Sequence, residues 1–446
     1  MKRDKVIIIG SGLAGLSCAF FLKKAGIRTH ILEKEKTYGG MCRSTEKSGF
    51  IFDYSGHLLH FRNPENLVLV KKLLRNRLSM HVRNAWIHMM GMFIPFPFQA
   101  HFNFLGDKVA RECVEGVKRA HYAEKRLTKS SNFLEWIKNR FGRGIAKYFM
   151  IPYNAKFWTI PLKELVPEGW AERFIVIPSA KDAGRGFLGI DTRRLGYSAF
   201  FWYPTGGGIG QLTKAFAGNL DPDSICLDCG VTGIDLKKKV ISYAGGGKER
   251  FDLLVSTIPL PELRGLIRDL PGYVKSSFDR LRWVSILNIN LGLEGNLGPS
   301  RHWIYFPEEK VPFFRVGFYH NISSSLTPSG KGSLYAEVSY SGGKPIDKRL
   351  MAASVKRGLH KTGILRKGVK IRCEEIKDIK YGYPVYDKRY KRATETIIRF
   401  MSRNDVLLLG RYGLWRYMSM EDVISESRRV ADTVSRVWLK NVDKII

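Results

Sequence analysis

Val6-Ile7-Ile8-Ile9-Gly10-Ser11-Gly12-Leu13-Ala14-Gly15-Leu16 opens with four aliphatic residues, turns at glycine and continues apolar. An uninterrupted β-branched run reads as a strand buried on both faces, and the segment after the turn reads as a helix. Gly10 permits the tight turn, Gly12 lets backbone approach a pyrophosphate, and Gly15 lets helix and strand pack closely. The first helical residues, Leu13 and Ala14, offer free N–H groups at the positive end of the helix dipole. Such a glycine pattern alone is weak evidence. Here Thr29-His30-Ile31-Leu32-Glu33 adds a second strand ending in an acid 23 residues after Gly10, where a ribose-binding carboxylate belongs. Glu33 disfavours a 2′-phosphate, so the expectation is a doubly wound α/β unit holding an unphosphorylated dinucleotide such as FAD.

The chain has 446 residues, long enough for two or three folded units. Its net charge of +33 draws it toward phosphorylated ligands or anionic lipid. No basic run exceeds Lys237-Lys238-Lys239, and no nucleic-acid-binding module is recognisable, so no nucleic-acid partner is expected. Cys226 and Cys229 form a C-x-x-C without a second pair or a nearby histidine. They are therefore expected to be structural thiols in a reducing compartment rather than zinc ligands, and no metal site is expected. The uncharged run Val6 to Leu22 carries fingerprint glycines and is not read as a secretion signal. A second uncharged run, Asn84 to Gly106, contains Pro95, Pro97, His88 and His101 and is not read as a membrane span.

Further along, Gly39-Gly40 again allow close approach to a cofactor, and Arg43 is placed to meet a phosphate. Phe50 to Asp53 reads as a strand entering a turn that presents Gly56 and His57; a structural and a cofactor-facing histidine both remain open. Helical spacing then takes over, as in Phe133, Ile137, Phe141 and Ile145, with Asn132 as cap and Glu135 three residues on. The exit from this region, Phe149 to Trp158, is rich in aromatic residues that suit either a core or a stacking site. Asp252 to Pro259 and Val406 to Arg411 read as further buried strands of the opening sheet. The runs at 284–293, 303–306, 313–319 and 333–339 suggest a separate sheet. The expected organisation is a discontinuous cofactor unit (1–82, 196–268 and 396–446), a helical insertion (107–195) and a mainly antiparallel sheet unit (83–106 and 269–395).

This three-piece layout resembles the flavin-dependent amine oxidase superfamily and, within it, the UDP-galactopyranose mutases of eukaryotic type. The resemblance rests on Gly39-Gly40, Gly56-His57, Pro95-Phe96-Pro97-Phe98-Gln99, Pro152-Tyr153-Asn154 with Trp158, and Glu172-Arg173. It continues through Trp303-Ile304-Tyr305, Pro312-Phe313-Phe314-Arg315, Gly382-Tyr383-Pro384 and Gly410-Arg411-Tyr412-Gly413-Leu414-Trp415-Arg416-Tyr417. It departs at Phe96, Ser198 and Ile322, and at Met418, which replaces an asparagine.

The resemblance implies FAD in its reduced form, whose N5 attacks the anomeric carbon of a UDP-sugar so that pyranose and furanose interconvert without net redox change. It assigns His57 to the flavin loop, with Val231, Gly410 and Arg411 also against the cofactor. Arg173 and Arg315 are the implied pyrophosphate cations, and Tyr305, Tyr383 and Tyr417 the phenol donors beside them. Gln99, Phe149, Tyr153, Asn154 and Trp158 fall on the nucleobase pocket, and Phe96, where a tyrosine is expected, and Trp303 are further implied substrate contacts. A nicotinamide electron donor, NADPH or NADH, would supply the electrons. The implied setting is cytoplasmic synthesis of cell-surface polysaccharide precursors, with peripheral contact to an anionic membrane as an option. Two alternatives stay open: an oxidase or desaturase of the same superfamily, and a basic flavoprotein acting as an assembly component. The oligomeric state is left undetermined.

Overall fold

The computed structural model describes residues 5–124, 130–177, 179, 181, 184–185, 199–295 and 297–442. Ser198 lies outside them. Strand β1, Val6–Ile9, passes through Gly10 at φ 95° into helix α1, Leu13–Lys24, and the chain returns as β2, Thr29–Leu32. A Cβ on Gly15 would overlap the Gly10 carbonyl oxygen, so the absence of a side chain there lets α1 lie close against the strand. β1 is central in a five-stranded parallel sheet ordered 406–408, 253–256, 6–9, 29–32, 225–226. Val6 and Ile8 pack into one core with Leu16, Phe20 and Ile31. Ile7 and Ile9 pack into another with Leu32, Leu254 and Ile397. Burial on both faces is why these strands read as continuous apolar runs.

A second sheet of seven strands collects Ala85–Met89, Met92–Pro95, Trp283–Glu294, Trp303–Tyr305, Arg315–Phe318, Lys331–Tyr340 and Lys370–Pro384. It is antiparallel except where Trp303–Tyr305 runs parallel to Ala85–Met89. The mixed fold is thus a parallel cofactor-type sheet beside a separate, mainly antiparallel one. The fifteen-residue strand Lys370–Pro384 is absent from the apolar runs of the sequence because charged residues occupy much of its length. Helices Asp107–Glu124 and Phe133–Ile145 pack on each other, and the second continues through Ala146–Met150 into Ile151–Trp158. Asn132 caps it, its side-chain oxygen accepting the Glu135 N–H at 3.0 Å. Among the described residues no helix is long and apolar enough to cross a membrane.

The cysteine expectation needs correcting, because Cys226 and Cys229 are joined as a disulfide. Asp228 at φ 57° turns the chain between them and brings their Cα atoms to 5.7 Å, a separation that a bridge spans. The other four cysteines are free and buried.

Asp53, at the end of strand Phe50–Asp53, fastens the two halves of the cofactor unit. Its buried carboxylate accepts from Ser44 Oγ at 2.6 Å, Tyr203 OH at 2.5 Å and the Ile209 N–H at 3.2 Å. Residues more than 150 positions apart are thereby locked together. Burial pushes Asp53 up to about 6, with the three donors and Lys377 opposing. The folded state therefore keeps this proton up to a higher pH than the unfolded chain, which releases it near 3.9. The contribution of Asp53 to stability is greatest below that value and is lost as pH rises through about 6. The difference in urea midpoint between wild type and Asp53→Asn is expected to shift across this window, with wild type losing ground as pH rises. A difference that stays constant from pH 4 to 7 would show that Asp53 does not titrate there.

Candidate active site

The C-terminal ends of the parallel strands open into one cavity of about 900 Å³ that extends to the antiparallel sheet and the helical region. Its first wall is the turn after β1. Gly12, Leu13 and Ala14 face the cavity at the N-terminus of α1, which has no side-chain cap and no acid in its first turn. A Cβ added to Gly12 would meet only the Gly40 Cα, at 3.8 Å, so the space in front of that backbone is open. An uncapped helix start beside open space suits an anionic pyrophosphate. Glu33 ends β2 on the same wall, its Oε2 accepting both the N–H and the hydroxyl of Ser11 at 2.7 Å. This holds the carboxylate in place at the ribose end, next to Val231.

Six buried polar atoms on this cavity have no hydrogen-bond partner: Arg43 Nε, His57 Nδ1, Gln99 Oε1, Trp158 Nε1, Trp303 Nε1 and Arg411 Nε. An orphaned buried group costs about 1–3 kcal/mol, and these atoms lie just behind the cavity surface on residues that a bound group would touch. The glycine cradle, the fixed Glu33 and these atoms together fit a dinucleotide flavin, which Gly10, Gly12, Glu33, Gly40, Arg43, Gly56, His57 and Arg411 would hold.

The wall beyond the flavin loop combines cations with phenols. Arg411 donates to the Gly382 carbonyl at 2.7 Å and has no carboxylate partner among the described residues. Its guanidinium lies 4.7 Å from the Tyr383 ring and 4.5 Å from the Tyr417 ring, and these two rings stack at 5.6 Å. Burial pushes Tyr383 well up, so it remains a hydrogen-bond donor. Arg315 differs from Arg411 in being neutralised. Its Nε and Nη2 both bond Glu337, the latter at 3.0 Å, and Glu337 also accepts from Ser55. His57 lines the same cavity as both cations, and burial followed by the charges of Arg411 and Arg315 lowers it to about 4. It is neutral at physiological pH.

At the far end the helix Ile151–Trp158 presents aromatic faces. Phe98, Phe149 and Tyr153 stack in series at 5.2 and 5.4 Å, and Tyr305 meets Phe96 at 5.1 Å and Tyr153 at 5.5 Å. Gln99 donates its amide to the Val176 carbonyl at 2.7 Å, which fixes the side chain and leaves its oxygen without a partner. Asn154 donates to the Met150 carbonyl at 2.7 Å.

The structure does not bring every expected residue to the cavity. Arg173, expected beside Arg315, is exposed on the short helix Ala171–Phe174, and its guanidinium is 2.5 Å from Asp422. It does not line the cavity, whereas its neighbours Trp170, Ile175 and Val176 do. Asp422, which the resemblance left without a role, holds it on the outer side. Gly15, Gly39 and Gly410 act behind the wall: a Cβ on Gly410 would lie 2.5 Å from the Ala14 Cβ, so this glycine seats α1. Phe96 and Met418 line the cavity, whereas Ile322 is buried in the core beside it. Glu337 and Ser55 escaped the sequence reading. Glu337 pairs in register with Arg315 across two adjacent strands, and only an i-to-j register would have revealed it.

The family pattern of flavin containing amine oxidoreductases matches residues 13–354. A crystal structure of reduced UDP-galactopyranose mutase superposes with a TM-score of 0.91 at 26% identity, covering 97% of this chain and 96% of that one. The dTDP-fucopyranose mutase of Escherichia coli is 26% identical over 166 residues, 36% of this chain and 44% of that protein. The inactive all-trans-retinol 13,14-reductase of Danio rerio is 44% identical over 48 residues, 11% of this chain and 8% of that protein. The chain therefore matches less than half the length of either curated relative.

His57 is expected to stay neutral well below the ordinary histidine value. In flavin-free protein labelled at the imidazole nitrogens, its NMR shifts should not begin to move until pH falls to about 5, one unit above its lowered value of about 4. A midpoint near 6.5 would mean that the loop opens and hydrates the ring.

Proposed function

The chain belongs to the flavin containing amine oxidoreductase family, and from that premise we propose that it is an FAD-dependent mutase interconverting pyranose and furanose forms of a UDP-linked or related nucleotide sugar. The observation that carries this reading is the wall of Arg411, Arg315, Tyr383 and Tyr417. A hydrocarbon substrate would leave these donors unsatisfied, whereas a nucleoside diphosphate would engage them. The full-length likeness to UDP-galactopyranose mutase supports the same reading.

When bound and reduced, FAD supplies a nucleophilic nitrogen to the anomeric carbon, so no side chain has to act as nucleophile. The chain's own residues hold the diphosphate as its bond to the anomeric carbon breaks and re-forms. Arg315 offers a guanidinium whose partner Glu337 keeps it oriented, and the Tyr383 phenol remains protonated to donate. Neutral His57 accepts or donates at Nδ1 without adding charge. Gln99 lines the end of the cavity where a base such as uracil or thymine would lie, with Tyr153 and Tyr305 as its aromatic wall. Arg173 would reach a diphosphate only by leaving Asp422, so its part is smaller than that of Arg315. NADPH or NADH is the proposed source of the reducing electrons.

Incubation of flavin-loaded protein with UDP-galactose or dTDP-fucose should give the furanose product only with dithionite or a reduced nicotinamide present, as read by chromatography and NMR. Arg315→Lys should weaken UDP binding by roughly ten- to a hundredfold, about 1.5–3 kcal/mol, because a single ammonium cannot keep the Glu337 pair and also offer an N–H to the diphosphate. Arg173→Lys should change it far less, and both variants should retain flavin. The second reading, an oxidase or desaturase, is favoured by the apolar Phe96 and Met418 on the cavity wall. It becomes the better one if wild type binds no UDP in either flavin state and an apolar substrate instead bleaches the oxidised flavin.

A further inference from the structure

The two-stranded sheet formed by Leu78–Val82 and Phe200–Pro204 stands apart from both large sheets. In antiparallel sheets with one face in the core, the other face is ordinarily polar. Here it is not. Phe201 and Tyr203 are buried inward, as expected of a core face. On the opposite face the register sets Met80 across from Trp202 and Val82 across from Phe200. Met80, Val82 and Phe200 are 54%, 48% and 42% exposed, so three large apolar side chains share one outward surface. Val68, on the neighbouring helix Pro64–Leu73, is 65% exposed.

The segments that form this face are basic. Residues 66–82 contain Lys71, Lys72, Arg75 and Arg77 and no acid, residues 199–205 contain no acid either, and Glu65 at the start of the neighbouring helix is paired with Arg428. Lys72, Arg75 and Arg77 are exposed, and Lys71 lies 4.7 Å over the Trp202 ring. Lys71, Lys72, Arg75 and Arg77 make no ion pair among the described residues. An exposed cluster of Met80, Val82 and Phe200 beside the half-buried Trp202, bordered by unpaired cations, matches what a peripheral protein presents to a bilayer. The apolar groups enter the headgroup boundary while lysine and arginine meet lipid phosphates. Scattered apolar residues need no such explanation, but a contiguous group does.

The geometry points to this outer face as a docking surface for an anionic phospholipid bilayer. The strand Phe200–Pro204 also bonds Leu59, whose N–H and carbonyl pair with Trp202 at 3.0 and 2.7 Å, and the adjoining Leu58 and His60 line the cavity. The docked face is thus one layer of backbone away from the flavin loop.

The test is flotation of full-length, flavin-loaded protein with vesicles of phosphatidylcholine alone and of phosphatidylcholine with about one third phosphatidylglycerol. Wild type is expected to float only with the anionic vesicles. The variant Met80→Ser/Val82→Ser/Phe200→Ser keeps the net charge and should bind about tenfold more weakly. Lys72→Glu/Arg75→Glu/Arg77→Glu, which leaves the apolar face intact, should lose binding to a similar degree. Flavin content and circular dichroism report whether each variant folds; if the serine variant does not, Lys237→Glu/Lys238→Glu/Lys239→Glu, the same change of net charge on a different sheet, should keep binding, and an equal loss there overturns the proposal. Failure of wild type to bind anionic vesicles overturns the proposal. So does equal binding by the serine variant, which would assign adhesion to the overall charge of +33. A dimer in sedimentation that the serine substitutions abolish would also overturn it, by assigning the face to a second copy of the chain.

Discussion

Parallel pairing of Val6–Ile9 with Thr29–Leu32 on one side and Leu253–Ser256 on the other is the constraint from which the remaining architecture follows. Parallel neighbours cannot be joined by a tight turn, so the chain must leave the sheet and return over a distance. Between residues 32 and 253 that excursion builds the loop bearing His57, the first strands of the second sheet and the helical region. Between 256 and 406 it builds most of the seven-stranded sheet. Every excursion starts or ends at the same edge of the parallel sheet. The cavity lies there because strand ends, helix start and returning segments converge on it.

Charge inside the cavity is distributed unevenly, and this decides what the site can hold. Arg315 is in a buried pair with Glu337, while Arg411 faces a carbonyl and the phenol rings of Tyr383, Tyr417 and Tyr412, with no carboxylate partner among the described residues. A buried pair costs desolvation on both sides and leaves little net field, whereas an uncompensated guanidinium keeps its field for an incoming anion. With His57 neutral in the same cavity, the wall presents positive potential together with several unused donors. That combination suits phosphorylated, polyhydroxylated ligands better than the amines or hydrocarbons that other members of such a family handle.

The neighbouring Asp53 network shows how the site is kept rigid. Three donors from separate segments converge on one buried carboxylate, so the loop that follows at 54–57 and carries His57 to the cavity cannot shift without breaking them. Tyr319 adds a fourth tie by donating to the Asp53 carbonyl at 3.1 Å. The segments involved are the two small sheets that contain Ser44, Asp53 and Tyr203, and the turn at Tyr319 that follows strand Arg315–Phe318 of the seven-stranded sheet.

Much of this was legible in the amino-acid sequence, because it depends on local chemistry. The glycines at 10, 12 and 15, the acid at 33 and the aliphatic runs at 6–9, 253–256 and 406–408 each require their conformation whatever surrounds them. The resemblance brought Gln99, Tyr153, Tyr383 and Arg411 forward as site residues, and all four line the cavity. The sequence alone did not reveal that Arg173 turns outward to Asp422, that Glu337 neutralises Arg315, or that Cys226 and Cys229 are bridged. Nor did it show that Met80, Val82 and Phe200 share an exposed face, since an apolar alternation reads the same whether it points into a core or away from one. A side chain's type and its period along the strand are properties of the chain. Its partner depends on strand register and on which distant segment folds against it, and only the tertiary structure decides those.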